Sequence, residues 1–511
     1  MASSSRPRPP VPNLASTIRP PSLIGMTTLD RDAFRQYIPL LGVQVEPRKT
    51  GAVRNHPLVR RYLLDLPKIP PISDNPHDPK TRLLRLKVKS EDELPSEVLE
   101  VLKVEGVGLT GYDLEINYDY WNLGDILHAI LPTTVDEDIP SSFTSTGHIG
   151  HVNLRAEWLP YKHLIGQVIL DKNPTLRTVV NKLNEIHATY RYFDMEVIAG
   201  DKDYITTLSE SGCTFTLDFS QVYWNSRLHH EHERLVDLFP VNSVVADVMA
   251  GVGPFAVPAA KKGVGVLGND LNPEGVKWMR ENRIKNKVQD TLRVYEMDGR
   301  EFIRRSNEIV WSEPFPPFVA PLTSRQRDKA RREARRAQAA KADPSSSSSP
   351  SPASPPEDSP SSSAPFPSLP DHVPSHPPTQ GDSSENNVAA PMLVQHYIMN
   401  LPDSALEFLD AFRGLYDPLK SDPVFQRRLA EGTIQFPLVH VYCFTRFLDV
   451  EEASKDICER ASQRLSYNLT PSEQDFNLHL VRSVAPNKDM YCLTFRLPRE
   501  VALSEVASEQ T

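Results

Sequence analysis

VVADVMAGVGPFAVPAAKKGVGVLGNDLNP, residues 244–273, decides how this chain folds. A β-branched run ends at Asp247, the chain turns through Gly251 and Gly253, and a helix opens at Pro254. Proline is favoured at the first helical position because that N–H has no intrahelical partner anyway. A second apolar run ends at Asp270. The stretch reads as one βαβ unit with a glycine turn after its first strand and an acid at the end of each strand. Glycine permits the tight turn and leaves the backbone bare, so a nucleoside-like cofactor can lie against it.

Outward from this unit the alternation continues. PEGVKWMRENRIKNK (273–287) reads as a helix, TLRVYEM (291–297) as a strand and REFIRRS (300–306) as a short helix. Strands and helices in alternation mark a parallel sheet covered by helices. The pattern is then interrupted by a basic, polar run with helical character, SRQRDKARREARRAQAAK (324–341), and by a Ser/Pro-rich tract (344–390). With so little apolar content that tract is expected to be disordered. The fold resumes with the strand MLVQHYIMNLP (392–402), a helix DSALEFLDAFRGLY (403–416), the strand LVHVYCFTR (438–446), a helix near 450–465 and the strands HLVRSVAP and MYCLTFRL. A parallel run closed by an antiparallel hairpin is the strand plan of class I methyltransferases.

Upstream, residues 116–235 read as a mixed α/β unit. WNLGDILHAIL (121–131) has helical spacing, LIGQVIL (164–170) reads as a buried strand, and TFTLDF (214–219) alternates as a strand. Residues 27–115 form a smaller unit with basic runs at 48–62 and 80–89, and 499–511 form a tail. The first 26 residues are expected to be a disordered or targeting segment. They carry Arg6, Arg8 and Arg19 and no acid, but their prolines oppose an amphipathic helix.

The chain has 511 residues, 47 prolines, 39% hydrophobic residues and a formal net charge of −9, which suits two or three globular domains with disordered connections. Whole-chain charge gives no sign of nucleic-acid binding, although a local basic face can still hold a polyanion. Cys213, Cys443, Cys458 and Cys492 form no C-x-x-C pair, which argues against a disulfide framework and a thiolate zinc site and for a reducing compartment. His148 and His151 have no third ligand at useful spacing, so no metal site is expected. No stretch approaches the roughly 20 apolar residues of a membrane span.

The acids narrow the cofactor. Gly251-x-Gly253-x-x-Ala256 fits a dinucleotide fingerprint, but Asp247, Asp270 and Asp298 each follow a predicted strand and would crowd one sheet edge. Three carboxylates suit the ammonium, ribose diol and adenine amine of S-adenosyl-L-methionine and would repel a pyrophosphate. Any one of them can equally be a helix cap. Asn400-Leu401-Pro402, at a strand end, suits recognition of a base N–H or amine. QVYWNSRLHHEHERLV (221–236) places a Tyr-Trp pair beside Arg227, Glu231, His232 and Glu233.

GHIGHVNLR, IGQVILDKNPTLRTVVNKL, VYWNSRLHHEHERLV, DVMAGVGPFAVPAAKKG, NDLNP and IMNLP together resemble the tRNA (guanine-37 N1)-methyltransferase family of archaea and eukaryotes, over roughly 115–300 and 392–498. The resemblance implies a Rossmann-like class I methyltransferase domain (236–498, interrupted at about 320–390) behind a mixed α/β domain and a small N-terminal RNA-binding domain. It implies Arg155 at the guanine O6, Glu231 as general base, Asn400 holding the base beside the cofactor, and Tyr223 lining the site. It implies cofactor contacts from His232, Asp270 with Leu271, and Asp298 with Gly299, beside the Asp247, Gly251 and Gly253 that the turn itself offers. Archaeal members have Arg at the position of His232, and Glu233 is a rival base. It further implies a monomer that binds tRNA and works in cytoplasm, nucleus and mitochondrial matrix. The rival readings are the aminocarboxypropyl transferase of the wyosine pathway and a non-catalytic tRNA-binding scaffold.

Overall fold

The structure is a computed structural model and describes residues 13–105, 108–132, 139–186, 193–318, 329, 331–332 and 392–505. The Ser/Pro tract lies outside the described residues, as does most of the basic run before it.

The quoted stretch builds the middle of a seven-stranded sheet. Its strands are β1 (Val244–Asp247), β2 (Gly265–Asn269), β3 (Leu292–Tyr295), β4 (His396–Met399), β5 (Leu438–Thr445), β6 (Asn477–Ala485) and β7 (Lys488–Arg496). The spatial order is β3-β2-β1-β4-β5-β7-β6. β1 to β5 are parallel, and β7 pairs antiparallel with both β5 and β6. Strand order reverses between β1 and β4, the switch point outside which open α/β sheets bind ligands.

Helices cover both faces. They are α1 (His229–Asp237), α2 (Ala256–Lys262), α3 (Pro273–Lys285), α4 (Gly299–Ser312), α5 (Pro423–Ala430) and α6 (Val450–Leu465). One face buries Phe302, Tyr397, Phe412 and Ile457. The other buries Leu235, Phe255, Val257, Met279 and Tyr442. β1 is buried at every position, because a central parallel strand is covered on both sides.

Four readings change on the tertiary level. LIGQVIL lies in a helix, Lys162–Lys172, and not in a strand. Leu164, Ile165, Val168 and Ile169 bury one helical face, and Gly166 lets the helix approach Ile198, whose Cγ1 would stand 2.8 Å from an added Cβ. A short continuous apolar run has no periodicity to separate the two states. DSALEFLDAFRGLY forms a 3₁₀ segment, Ala405–Phe412, and the short helix at 300–306 extends over fourteen residues, Gly299–Ser312. Part of the N-terminal segment expected to be disordered or targeting is also packed. Leu14 and Ile18 join the core that contains Trp121, Ile126 and Ile165, and Leu23 N–H bonds the Ala129 carbonyl at 2.8 Å.

Upstream of the large sheet stand an antiparallel sheet of Gln36–Val45, Ile72–Asp74, Arg82–Arg85 and Gly108–Ile116, and a mixed sheet of Thr144–Thr146, Ile149–Val152, Thr178–Ile186 and Phe193–Gly200. A hairpin, Ile205–Glu210 with Cys213–Asp218, packs against α3 through Asn282, whose side chain accepts from Thr216 N–H at 2.7 Å. Residues of the upstream sheet, His151 and Lys182 among them, meet the carboxyl edge of the large sheet around a shared cavity. No described helix is long and apolar enough to cross a membrane.

Candidate active site

A cavity of about 810 Å³ lies at that edge. It is walled by the turn after β1, the ends of β2 and β4, and the segment that leads into α1. The glycine turn forms its floor. Gly251 takes φ +55 and Gly253 φ +93, conformations that L-residues with a Cβ rarely adopt. A Cβ on Gly251 would meet nothing within 4 Å, so the backbone there is bare to the cavity. A Cβ on Gly253 would strike Val257 Cγ2 at 2.9 Å. Gly253 is therefore needed for packing, and Gly251 keeps the surface free. Gly251→Ala is expected to weaken cofactor affinity at least tenfold while costing about 1–2 kcal/mol in backbone strain. Calorimetry beside a melting curve checks this, and unchanged affinity would remove the turn from the cofactor site.

Asp270 ends β2 and organises the turn. Its carboxylate accepts from Gly251 N–H at 2.7 Å and from Asn272 N–H at 2.8 Å. Burial pushes its pKa up, and these backbone donors oppose that rise. Asn272 then caps α3, accepting from Glu274 N–H at 3.0 Å, and its amide reaches the Gln221 carbonyl at 2.9 Å. The turn, the acid and the segment before α1 are thus one hydrogen-bonded unit. Asp298 caps α4 through Arg300 N–H (2.9 Å) and Glu301 N–H (3.3 Å). Each carboxylate has about four acceptor positions, so capping leaves room for a ligand's hydroxyl or amine.

Asp247 is set apart from the other acids: it is fully buried and lies outside the cavity wall. Burial, reinforced by the charge of Asp270, pushes its pKa well up. It sits behind the turn because β1 is the central strand, and a strand-end acid there points into the sheet's cover.

His232, Leu271, Gly299, Tyr223 and Asn400 all line the cavity. Asn400 is carried on a loop fixed at both sides: Leu401 C=O accepts from Ala405 N–H at 2.7 Å, and Pro402 C=O from Phe444 N–H at 3.2 Å. His232 is held from behind by Glu210, which no motif singles out. Nδ1 and the Glu210 carboxylate are 2.6 Å apart, with only 5% and 7% of the two side chains exposed. The ring stands edge-on to Phe255. With Nδ1 engaged, Nε2 is the atom left for the cavity. Glu210→Gln is expected to raise the Kd for cofactor several-fold by releasing the ring. Unaltered cofactor affinity would make the pair purely structural.

Two expected residues stand elsewhere. Arg155 is outside the wall, with 61% of its side chain exposed and a guanidinium nitrogen 3.9 Å from Glu157. Glu231 is buried beside the wall, and its oxygens accept two Arg234 bonds at 2.6 Å each and the Tyr442 hydroxyl at 2.7 Å, with His479 at 3.4 Å. Glu233 does not line the cavity either. His151 does line it, and burial with Lys182 and Arg227 nearby holds its pKa down to about 3, so the ring is neutral at ordinary pH. Among the described residues no group of three or more His, Cys, Asp or Glu side chains is placed to hold a metal ion.

The sheet order, the glycine turn at its switch point and the acid at the end of β2 define a class I methyltransferase. Two family descriptions match the chain, the TYW2 N-terminal domain over residues 123–203 and the TRM5/TYW2 methyltransferase domain over residues 206–314. The tRNA (guanine(37)-N(1))-methyltransferase of Cryptococcus neoformans is 53% identical over 96% of this chain and 89% of its own length. The chain belongs to the tRNA (guanine(37)-N(1))-methyltransferase family. Among solved structures, Trm5b of Pyrococcus abyssi aligns over 89% of this chain and 99% of its own, with a TM-score of 0.50 and 19% identity. The complex of aTrm5 with tRNALeu aligns over 90% of this chain and 100% of its own, with a TM-score of 0.52 and 16% identity. At those identities the likeness speaks for the fold.

Proposed function

We propose that the protein transfers a methyl group from S-adenosyl-L-methionine to N1 of guanosine-37 in the tRNA anticodon loop. The observation that carries this is the cavity itself, in which bare glycine backbone and the carboxylates of Asp270 and Asp298 share one space with Asn400 and Tyr223. The donor set fits the cofactor, since Asp270 and Asp298 are acceptors for hydroxyl and amine groups, and the Gly251 surface is open. When bound there, the sulfonium supplies an electrophilic methyl group.

The chain's own task is to present the guanine. N1 carries a proton at neutral pH and is a poor nucleophile until that proton leaves. Asn400 can pair with the base edge from its fixed loop, and Tyr223, half exposed at the mouth, offers a face for a base splayed out of the loop stack. Glu231 serves as the base once its carboxylate exchanges an Arg234 bond for the guanine N1–H. Arg155, on an exposed segment next to the wall residues Val152 and Asn153, turns in to meet the charge that develops on O6. Holding two reactants in line supplies much of the rate by itself. The N-terminal sheet and its basic runs at 48–62 and 80–89 take the body of the tRNA by phosphate contacts.

The test is nucleoside mass spectrometry after incubation of the full-length protein with S-adenosyl-L-methionine and a tRNA carrying guanosine or adenosine at position 37. The expected product is 1-methylguanosine from the first and none from the second. The heavier aminocarboxypropyl adduct, or equal modification of both, would overturn the reading.

A further inference from the structure

The mouth of the cavity carries cations that neither the cofactor nor the methyl transfer employs. Arg482 and Lys488 flank the β6–β7 turn and line the cavity. β7 begins opposite the end of β5, Asp489 facing Thr445, so this turn lies at the same sheet edge as the Gly251 turn. Register shifts between Leu480 and Arg482 and between Ser483 and Ala485 bend the hairpin. Such bulges re-aim side chains next to functional sites. The Ser483 hydroxyl on the Asp489 carboxylate and Asn487 at φ +58 fix the bent turn.

The charges along the cavity have a direction. Asp270 and Asp298 lie at the β2 and β3 ends. The hairpin lies four strand positions from β2, about 19 Å at the usual strand spacing. Lys182 and Arg227, both close enough to His151 to act on its charge, add two more cations to the wall. At the mouth the Asp403 carboxylate stands 3.4 Å from the Lys488 ammonium and keeps it at the rim over the Phe444 ring. Among the described residues Arg482 bonds a neutral acceptor, its Nε donating to the Ser483 carbonyl at 3.2 Å. Beside it are Val484, 43% exposed, and Tyr223, 50% exposed, whose hydroxyl feels the charges of Arg482 and Asp403. A cationic cofactor belongs at the carboxylate end. The opposite end is then left with cations beside a flat aromatic and an apolar side chain, the chemistry of a phosphate-linked nucleotide.

We infer that Arg482 and Lys488 form a phosphate clasp, which grips the backbone on either side of the target guanosine and holds the base over Tyr223 while it is methylated. The inference rests on the tRNA reading above. It names residues of a hairpin that no sequence motif marks.

The experiment compares full-length wild type with Arg482→Ala, Lys488→Ala, the double variant and Arg482→Lys. It measures steady-state methylation of guanosine-37 tRNA across a potassium chloride series and S-adenosyl-L-methionine affinity by calorimetry. The double variant is expected to raise KM for tRNA at least tenfold with cofactor affinity unchanged. Its kcat/KM should fall with salt less steeply, by about 0.7 in logarithmic slope per lost single-strand phosphate contact. Arg482→Lys, which keeps the charge, should retain the slope. An unchanged KM and slope in the double variant, or an equal loss of cofactor affinity, would overturn the clasp. If wild type makes no 1-methylguanosine, the proposed function falls. The salt dependence of filter-bound tRNA in the same variants then still decides the clasp.

Discussion

Replacing Asp270 with alanine is expected to weaken S-adenosyl-L-methionine binding at least a hundredfold and to abolish methyl transfer at ordinary cofactor concentrations. The carboxylate does two things at once. It is an acceptor at the cavity floor, and it holds the turn by accepting from Gly251 N–H at 2.7 Å and Asn272 N–H at 2.8 Å. Alanine leaves both amides without that partner, at about 1–3 kcal/mol for each that stays buried. It also frees Gly251 from the φ +55 conformation that bares its surface. Asp270→Asn keeps one acceptor oxygen and should be milder. Calorimetric Kd values beside circular dichroism check the order, and a loss below threefold in the alanine variant would take Asp270 out of the cofactor site.

Glu231→Gln is expected to lower kcat at least tenfold with tRNA binding largely kept, and also to lower Tm. The second effect is specific to this structure. The carboxylate is 6% exposed and holds Arg234, whose side chain is 30% exposed, and the hydrogen bond of Tyr442. Removing one member of a buried pair leaves the other charge uncompensated, at about 3–5 kcal/mol when both are fully enclosed and less here, because Arg234 reaches solvent. A base role predicts a changed pH profile of kcat, since the amide takes no proton. A structural role predicts a Tm loss alone. If the rate is unaffected, Glu231 leaves the mechanism. If Arg234→Lys retains neither rate nor stability, the bidentate pair and not the charge alone positions the carboxylate.

Much of the site was legible in one dimension, because turns and strand ends write themselves into residue types. A strand that must stop and turn tightly needs glycine, which Gly251 and Gly253 supply, while Pro254 lies in the turn two residues before α2 opens at Ala256. An acid at a strand end is visible from the pattern, as Asp270 and Asp298 were. Which way such an acid points is not visible. Asp247 has the same local signature but belongs to the central strand, so burial on both faces takes it away from the cavity. LIGQVIL failed for a related reason. Its apolar residues serve one buried face in either state, and packing against Ile126, Val179 and Ile198 selects the helix.

What the sequence by itself determined is the βαβ unit, its glycine turn, and the parallel run with its antiparallel close, with Asn400 at a strand end. All of these rest on local backbone demands or on hydrophobic period. The tertiary structure alone decided which side chains meet. Glu210 reaches His232 from a separate hairpin, Tyr442 joins the local pair of Glu231 and Arg234 from β5, and Arg482 and Lys488 come to the cavity because β7 runs back toward the edge where β5 ends. Glu210 and Tyr442 are far in the chain from the residues they meet and share no spacing with them. Their chemistry exists only once the sheet has set the strand order.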